Sequence, residues 1–249
     1  MRAASYVLPL KWSAADSTPA QIEELAGYLR RLARELDDVI VVDGSDPEVY
    51  ARHAQAWGDC VRQLPPDPRL HFANGKVNGV VTGVAAARHD KVVLADDDVR
   101  YDAGGLDRVL ALLDGAEIVR PQNVFDRWPW HARWDTARSL LNRAWTADYP
   151  GTFGLRRAVF VHAGGYDGDA LFENLEMIRT LEAHGAREAR PLDLFVVRAA
   201  PEADRFWNQR PRQAYDDFAQ PGRLALWLSV LPAVARCVAR RRPRALVAG

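Results

Sequence analysis

The sequence predicts an α/β fold in which a mostly parallel sheet carries helices on both faces. Short apolar runs rich in β-branched residues alternate with helical segments through the first half of the chain, as in parallel sheets. The chain has 249 residues, of which 48% are hydrophobic, enough for one domain with a sizeable core. This composition excludes disordered and low-complexity classes of protein.

The first elements of the chain are a strand and a helix. Residues 5–10 predict a short buried strand, and Ser17 or Thr18 followed by Pro19 predicts the cap and first turn of a helix. Apolar residues at steps of three and four then indicate one face of that helix: Ile22, Leu25, Leu29, Leu32 and Leu36.

Two of the following strands end in acidic residues. The β-branched run 39–42 is followed by Asp43, and the apolar run 91–95 is followed by three aspartates. Ligands of parallel α/β sheets bind beyond the carboxyl ends of the strands, so these acids indicate a binding site. For Asp43, a plain Asp-Gly turn is the alternative. The other predicted elements are a loop at 64–68, helices at 78–88, 106–113 and 175–184, and strands at 117–119, 159–163 and 192–197.

The end of the chain differs from the rest in composition, which predicts a domain at 1–222 and an extension at 223–249. The segment 224–239 is largely apolar but shorter than the roughly 20 residues that span a bilayer, and arginines follow it. Two interpretations stay open: a helix lying on an anionic membrane surface, or a helix packed on the domain.

Charge and cysteine content exclude other classes of protein. The chain has 33 basic and 33 acidic residues, and a net charge of zero argues against a general nucleic-acid binder. Cys60 and Cys237 form no disulfide framework, and the N-terminus shows no signal peptide. We therefore expect a cytoplasmic protein, free or at the inner face of the membrane.

The three aspartates Asp96, Asp97 and Asp98 repel one another, so a folded protein keeps them solvated or binds a cation with them. Mg²⁺ and Mn²⁺ prefer oxygen ligands, and Mg²⁺ commonly takes one or two carboxylates together with substrate phosphates. The alternative is a solvated acidic turn. The position at the end of a buried strand favours the cation site.

A series of short motifs, together and in order, resembles the family 2 glycosyltransferases of GT-A fold, particularly the branch that includes ceramide glucosyltransferase. The resemblance covers roughly residues 5 to 220. Its motifs are VVDGSD at 41–46, NGKVNG at 74–79, VLADDD at 93–98, GT at 151–152, RR at 156–157, AGGYD at 163–167, FENLE at 172–176 and QRPRQ at 209–213.

This resemblance implies an inverting transfer of a sugar from a UDP- or GDP-sugar to a hydroxyl acceptor, with no nucleic-acid partner. It implies that Asp43 contacts the base or ribose of the donor and that Lys76 lies near the diphosphate. Asp96 and Asp98 match the outer positions of the DxD motif, which binds Mg²⁺ or Mn²⁺ with the diphosphate. The predicted donor site also includes Pro9, Asp97 and Arg212.

The sequence departs from the family at the catalytic base. The family usually has Glu-Asp at this motif, with the Asp as base, whereas this chain has Glu173 and Asn174. Asparagine cannot take a proton at neutral pH. We expect Glu173 to be the base, with a motif shifted by one residue or Glu176 as alternatives. A non-catalytic nucleotide-sugar-binding protein is the main competing function. A nucleotidyltransferase is less favoured because residues 9–13 lack a glycine-rich phosphate loop.

The acceptor site is the least specific part of the prediction. Gln213 stands where the family commonly has a tryptophan after the Gln-x-x-Arg pattern, which weakens any inference about acceptor stacking. The tryptophan-rich segment 128–145 forms either ordinary packing or an acceptor pocket. The residues assigned to the acceptor are Trp128, Trp130, Gly151, Thr152 and Trp207.

Overall fold

The computed structural model describes residues 1–145, 149–170 and 172–240. The chain divides into two compact units, Met1–Pro201 and Glu202–Gly249. The predicted boundary between residues 222 and 223 falls inside the second unit.

In the described residues of the first unit, ten strands form two sheets. The larger sheet has the order β3-β2-β1-β4-β8-β6-β9, and every strand runs in one direction except β8, which is antiparallel to β4 and β6. The smaller sheet has the order β5-β10-β7. The strands are β1 Arg2–Leu10, β2 Leu36–Asp43, β3 Arg62–Leu64, β4 Lys91–Ala95, β5 Val99–Arg100, β6 Ile118–Val119, β7 Gln122–Phe125, β8 Thr152–Arg156, β9 Glu188–Ala189 and β10 Phe195–Arg198.

In the part of the first unit that the structure describes, seven helices connect these strands. Two more form most of the described part of the second unit. Those of the first unit are α1 Pro19–Glu35, α2 Pro47–Trp57, α3 Gly75–Ala86, α4 Ala103–Leu112, α5 Trp130–Trp145, α6 Arg157–His162 and α7 Glu173–Ala183. Those of the second are α8 Ala203–Asp216 and α9 Pro221–Ala239, with a 3₁₀ turn at Asp217–Ala219 between them.

Helices cover both faces of the larger sheet, as predicted. Successive side chains of a strand point to opposite faces, so Tyr6 and Leu8 of β1 pack in a cluster with Leu29 of α1. Val7 belongs to the other cluster, which includes Val80 of α3. The two cores place α1 and α3 on opposite sides of β1, which confirms the layered α/β architecture.

The first helix begins where the sequence predicts and ends one residue earlier. Thr18 and Gln21 form a reciprocal capping box, and Pro19 occupies the first turn. Leu36 was expected on the helix face, but it is the first residue of β2 and pairs with Arg2 of β1. Its apolar side chain is buried in either structure, so the hydrophobic spacing could not distinguish the two.

The expected strand at 159–163 is wrong, because this segment belongs to α6. The helix starts directly after β8, and its first turn is held by Asp90: Arg157 N donates to the Asp90 carbonyl, and Ala158 N donates to Oδ1. Because the capping residue Asp90 lies almost 70 positions earlier in the chain, the sequence around α6 contains no capping signal. The β-branched residues of this segment therefore pointed to the wrong element.

Helix α9 covers the whole of the predicted apolar segment 224–239. Over its 19 residues it is long and apolar enough to cross a membrane, judged by length and composition, and its side chains are largely exposed. Pro232 and Arg236 lie within it.

Candidate active site

A small cleft opens at the carboxyl ends of β1 and β4. It brings together five residues that the sequence assigned to the site, although they come from five separate segments of the chain. The lining residues are Pro9, Lys76, Val80, Leu94, Ala95, Asp96, Gly151, Phe153, Tyr166, Asn174 and Met177. Six of them were not assigned from the sequence, among them Tyr166 and Met177.

The missed residues had weak signals. Tyr166 lies inside the AGGYD motif, and Met177 lies three positions after Asn174, on the same face of α7. Burial raises the pKa of the Tyr166 hydroxyl, and the charges of Glu173 and Asp96 raise it further. Tyr166 therefore stays protonated at neutral pH and can donate a hydrogen bond into the cleft.

Lys76 is the cation of the cleft wall. It lies in the first turn of α3, where its backbone N–H donates to the capping side chain of Asn74. Its Nζ lies 2.7 Å from Asp96 Oδ1 and 3.6 Å from Glu173 Oε1. Burial lowers the pKa of Lys76, but the two carboxylates outweigh burial and raise it. Lys76 is therefore charged at neutral pH.

Asp98 is held by Arg198 of β10, whose Nε lies 2.7 Å from Oδ2. Burial lowers the pKa of Arg198, and the charges of Asp98 and Asp96 raise it above its ordinary value. The other oxygen, Asp98 Oδ1, is buried and has no hydrogen-bond partner in the described part of the chain. Asp97 accepts a hydrogen bond from the indole of Trp12. Each of the three aspartates thus has its own partner.

Asp43 is fully buried at the end of β2. Oδ2 accepts hydrogen bonds from His53 Nδ1 at 2.7 Å and Gln63 Nε2 at 3.0 Å, and Oδ1 accepts one from Ser45 N at 3.0 Å. Burial raises the pKa of Asp43, but these bonds, led by that from His53, outweigh it, and the pKa lies below its ordinary value. In this structure the carboxylate is out of direct reach of a ligand, and it orders the strand-end turn instead.

Gly151 and Thr152 shape the cleft from β8 and the turn before it. The Gly151 carbonyl accepts from Asp96 N at 2.7 Å, and a Cβ at Gly151 would lie 2.7 Å from Asp96 Oδ2. Thr152 is fully buried, and its hydroxyl donates to Leu94 O and bonds the hydroxyl of Tyr101. The hydroxyl of Thr152 is thus used within the fold, and Thr152 does not line the cleft.

The first turn of α7 separates the two candidate catalytic residues. Glu173, the expected base, is 2% exposed and lies against Lys76, and it does not line the cleft. Asn174 does line the cleft. Glu176, the alternative base, accepts from the Thr180 hydroxyl at 3.4 Å and is also absent from the lining. The structure thus places the amide in the cleft and the carboxylate beside it.

Of the remaining assignments, Trp128 and Trp130 belong to the first unit, and Trp207 and Arg212 belong to the second. Trp128 and Trp130 are 48% and 54% exposed and do not line it, so they form neither core packing nor a wall of this cleft. Trp207 is exposed on α8 of the second unit. The Arg212 side chain lies outside the described part of the chain.

The donor set for a divalent cation is small. In the described ranges, no group of three or more His, Cys, Asp or Glu residues is placed to bind a metal ion. The ion pairs engage Asp96 Oδ1 and Asp98 Oδ2, which leaves one oxygen of each carboxylate outside these two ion pairs. Two carboxylates fit a cation that takes its other ligands from water and phosphate, as Mg²⁺ commonly does.

A family model matches about a third of the chain. Residues 41–120 match the model of glycosyl transferase family 21, which is ceramide glucosyltransferase-like. The matched segment contains Asp43, Lys76 and the three aspartates. No curated protein matches the chain.

Solved structures with the same fold are glycosyltransferases. One is the mannosyltransferase PcManGT from Pyrobaculum calidifontis in complex with GDP-Man and Mn²⁺, with 19% identity and a TM-score of 0.58 over 85% of this chain and 60% of that one. Another is glucosyl-3-phosphoglycerate synthase from Mycobacterium tuberculosis in complex with Mn²⁺ and UDP-glucose, with 20% identity and a TM-score of 0.55 over 82% and 73%. A third is mannosyl-3-phosphoglycerate synthase from Rubrobacter xylanophilus, with 17% identity and a TM-score of 0.53 over 86% and 72%.

The chain has the GT-A fold. The matched family model and these solved structures are those of glycosyltransferases, the class of enzyme predicted from the sequence. The chain spans 60% of the length of the mannosyltransferase.

Proposed function

We propose that the chain transfers a sugar from a nucleoside-diphosphate sugar to an acceptor oxygen, with inversion at the anomeric carbon. The observation that carries this proposal is the convergence of Lys76, Asp96 and Asn174 in one cleft at the carboxyl edge of a GT-A sheet. Ligands of such sheets bind at this edge. In inversion, the acceptor attacks the anomeric carbon on the face opposite the departing diphosphate.

Asp96 and Asp98 would hold a divalent cation together with the donor diphosphate. When bound, such a cation neutralises the charge that develops on the leaving diphosphate. Mn²⁺ accompanies GDP-Man or UDP-glucose in the similar structures named above, which supports a divalent cation here.

The side chains of the cleft have separate tasks in this proposal. Lys76, kept charged by its two carboxylate partners, attracts the phosphate groups. Arg198 orients Asp98 through its ion pair. Phe153 and Met177 are buried and apolar, so they exclude water from the wall next to the reacting sugar.

A donor panel tests this function. The full chain is incubated with UDP-, GDP- and dTDP-sugars, with and without Mn²⁺ or Mg²⁺, and release of the nucleoside diphosphate is measured. Asp96→Asn should lower metal-dependent turnover by about 10-fold or more, in the range of lost metal interactions. Asp193→Asn removes a carboxylate that is exposed on the surface and should leave turnover unchanged.

Two outcomes would contradict the proposal. If none of these donors releases a nucleoside diphosphate, with water or with any acceptor, the chain is not a transferase. Donor binding in a thermal-shift assay without any turnover supports the non-catalytic nucleotide-sugar-binding protein instead.

We also propose that α9 attaches the protein to a membrane. Its apolar side chains are exposed, among them Leu228 at 66% and Leu231 at 78%, and it is followed in sequence by arginines that suit an anionic surface. Leu228→Lys with Leu231→Lys should abolish co-flotation with anionic vesicles, whereas Ser229→Lys on the same helix should retain it. Equal flotation of the double variant and the wild type would contradict this attachment.

A further inference from the structure

We infer that the acceptor oxygen is already an anion when it reacts, as in a phosphate monoester, so that the transfer needs no general base from the chain. This inference rests on the proposed sugar transfer and names its acceptor class.

Asn174 is the first observation. It lines the cleft with Lys76 and Asp96, but a neutral amide accepts no proton at pH 7. Among the described residues that line the cleft, Asp96 is the one carboxylate. Its Oδ1 lies 2.7 Å from Lys76 Nζ, and the proposed function gives its other oxygen to the cation. Among the residues that the structure describes, the cleft lining thus provides no carboxylate that is committed to removing a proton.

Glu173 is the second observation. A general base must come within hydrogen-bond distance of the proton that it removes. Glu173 is 2% exposed and is absent from the cleft lining, and its carboxylate lies 3.6 Å from Lys76 Nζ. This arrangement makes Glu173 a buried counter-ion that positions Lys76.

Acceptor chemistry then separates two cases. An alcohol is a weak nucleophile until a base removes its proton. A phosphate monoester has a second pKa of about 6, so it is a dianion at neutral pH. Its oxygen attacks the anomeric carbon, the bond from that carbon to the donor diphosphate breaks, and the electron pair leaves with the nucleoside diphosphate. No proton moves, and the product is a glycosyl phosphodiester.

Matched acceptor pairs test the inference. A prenyl monophosphate and the corresponding prenyl alcohol are offered in detergent micelles, and glycerol 3-phosphate and glycerol are offered in solution. The full chain is used with Mn²⁺ and the donor that it turns over fastest. We expect a glycosyl phosphodiester by mass spectrometry, and at least about 100-fold faster transfer to a phosphate than to its alcohol partner. Comparison of the two phosphates shows whether the acceptor is lipid-linked or soluble.

The pH profile and one variant supply independent readouts. Transfer to the phosphate should rise with pH to about 6, where the acceptor ionises, and then stay level. Asn174→Asp places a carboxylate in the cleft and should raise transfer to the alcohol by about 10-fold or more, at the lower end of general-base effects. Asn208→Asp, on exposed α8, makes the same chemical change elsewhere and should have no effect.

Three results would overturn the inference: comparable transfer to alcohol and phosphate by the wild type, donor turnover without transfer to either phosphate, or a folded Asn174→Asp variant with unchanged transfer to the alcohol. The first two leave the transferase itself standing. If no donor is turned over at all, that result would instead contradict the proposed function.

Discussion

Replacement of Gly151 by alanine tests how the fold positions the Asp96 carboxylate. The added Cβ would lie 2.7 Å from Asp96 Oδ2 and 3.1 Å from Cγ, whereas ordinary van der Waals contact of a Cβ begins at 3.4 Å. The carboxylate must therefore retreat by about 0.7 Å. Metal–ligand distances tolerate only about 0.2 Å, so the displaced oxygen no longer fits the cation.

Gly151→Ala should weaken the binding of Mn²⁺ and donor much more than it lowers the stability of the fold. The clashing atoms belong to the end of one side chain, and an off-rotamer side chain costs about 0.5–1.5 kcal/mol. For a chain of this size that corresponds to a loss of a few degrees in Tm. Misplaced outer contacts of a metal site typically lower affinity by 10- to 100-fold, and we expect Gly151→Ala to weaken Mn²⁺-dependent donor binding by about that factor.

Calorimetric titration of Mn²⁺ and donor measures this effect, with thermal unfolding recorded on the same samples. Gly27→Ala is the matched control, because Gly27 is exposed within α1 and a Cβ there meets nothing within 4 Å. The control should bind as the wild type does and gain about 0.5–1 kcal/mol of stability. Wild-type affinity in a folded Gly151→Ala protein would refute the claim that this glycine positions Asp96.

Three further predictions concern stability and are measured by denaturant unfolding. Gly83→Ala would place a Cβ against Val7 Cγ1 in the core and should lower the free energy of unfolding by about 1–3 kcal/mol. An unchanged free energy of unfolding would mean that α3 moves freely off β1. Thr18→Ala removes the α1 capping box and should cost about 1 kcal/mol, unless Gln21 finds another partner. The pKa of Asp43 is depressed in the folded protein, so its carboxylate should stabilise the fold fully above a pH of about 4. This contribution should be lost as the pH falls through the folded pKa. The difference in unfolding free energy between the wild type and Asp43→Asn should therefore shrink on acidification, and a constant difference would contradict this.

The layered fold could be predicted because its signals are local. Strand β4 was predicted with its observed bounds, 91–95, and the capped start of α1 was also correct. Both depend on neighbours within a few residues. Helix α6 was assigned wrongly because Asp90, which caps it, lies far away in sequence. Helix α2, which begins at Pro47, was not predicted at all.

The sequence identified several residues of the site, but it did not show which of them form ion pairs or hydrogen bonds with one another. Motifs and strand ends identified Lys76, Asp96 and Asn174, which the cleft brings together. Nothing local shows that Lys76 bridges Asp96 and Glu173, because the three residues come from three segments. The burial of Asp43 depends likewise on His53, a residue that carried no signal in the sequence.

The charge balance of the site gives an argument for a divalent cation that does not depend on the family resemblance. Repulsion among the three adjacent aspartates is relieved because each meets a different element: Lys76 of α3, Trp12 after β1, and Arg198 of β10. With Glu173 included, four carboxylates face the two cations, which leaves two negative charges at neutral pH. This deficit equals the charge of one divalent cation. The zero net charge of the whole chain conceals it, since the balancing arginines lie elsewhere in the sequence.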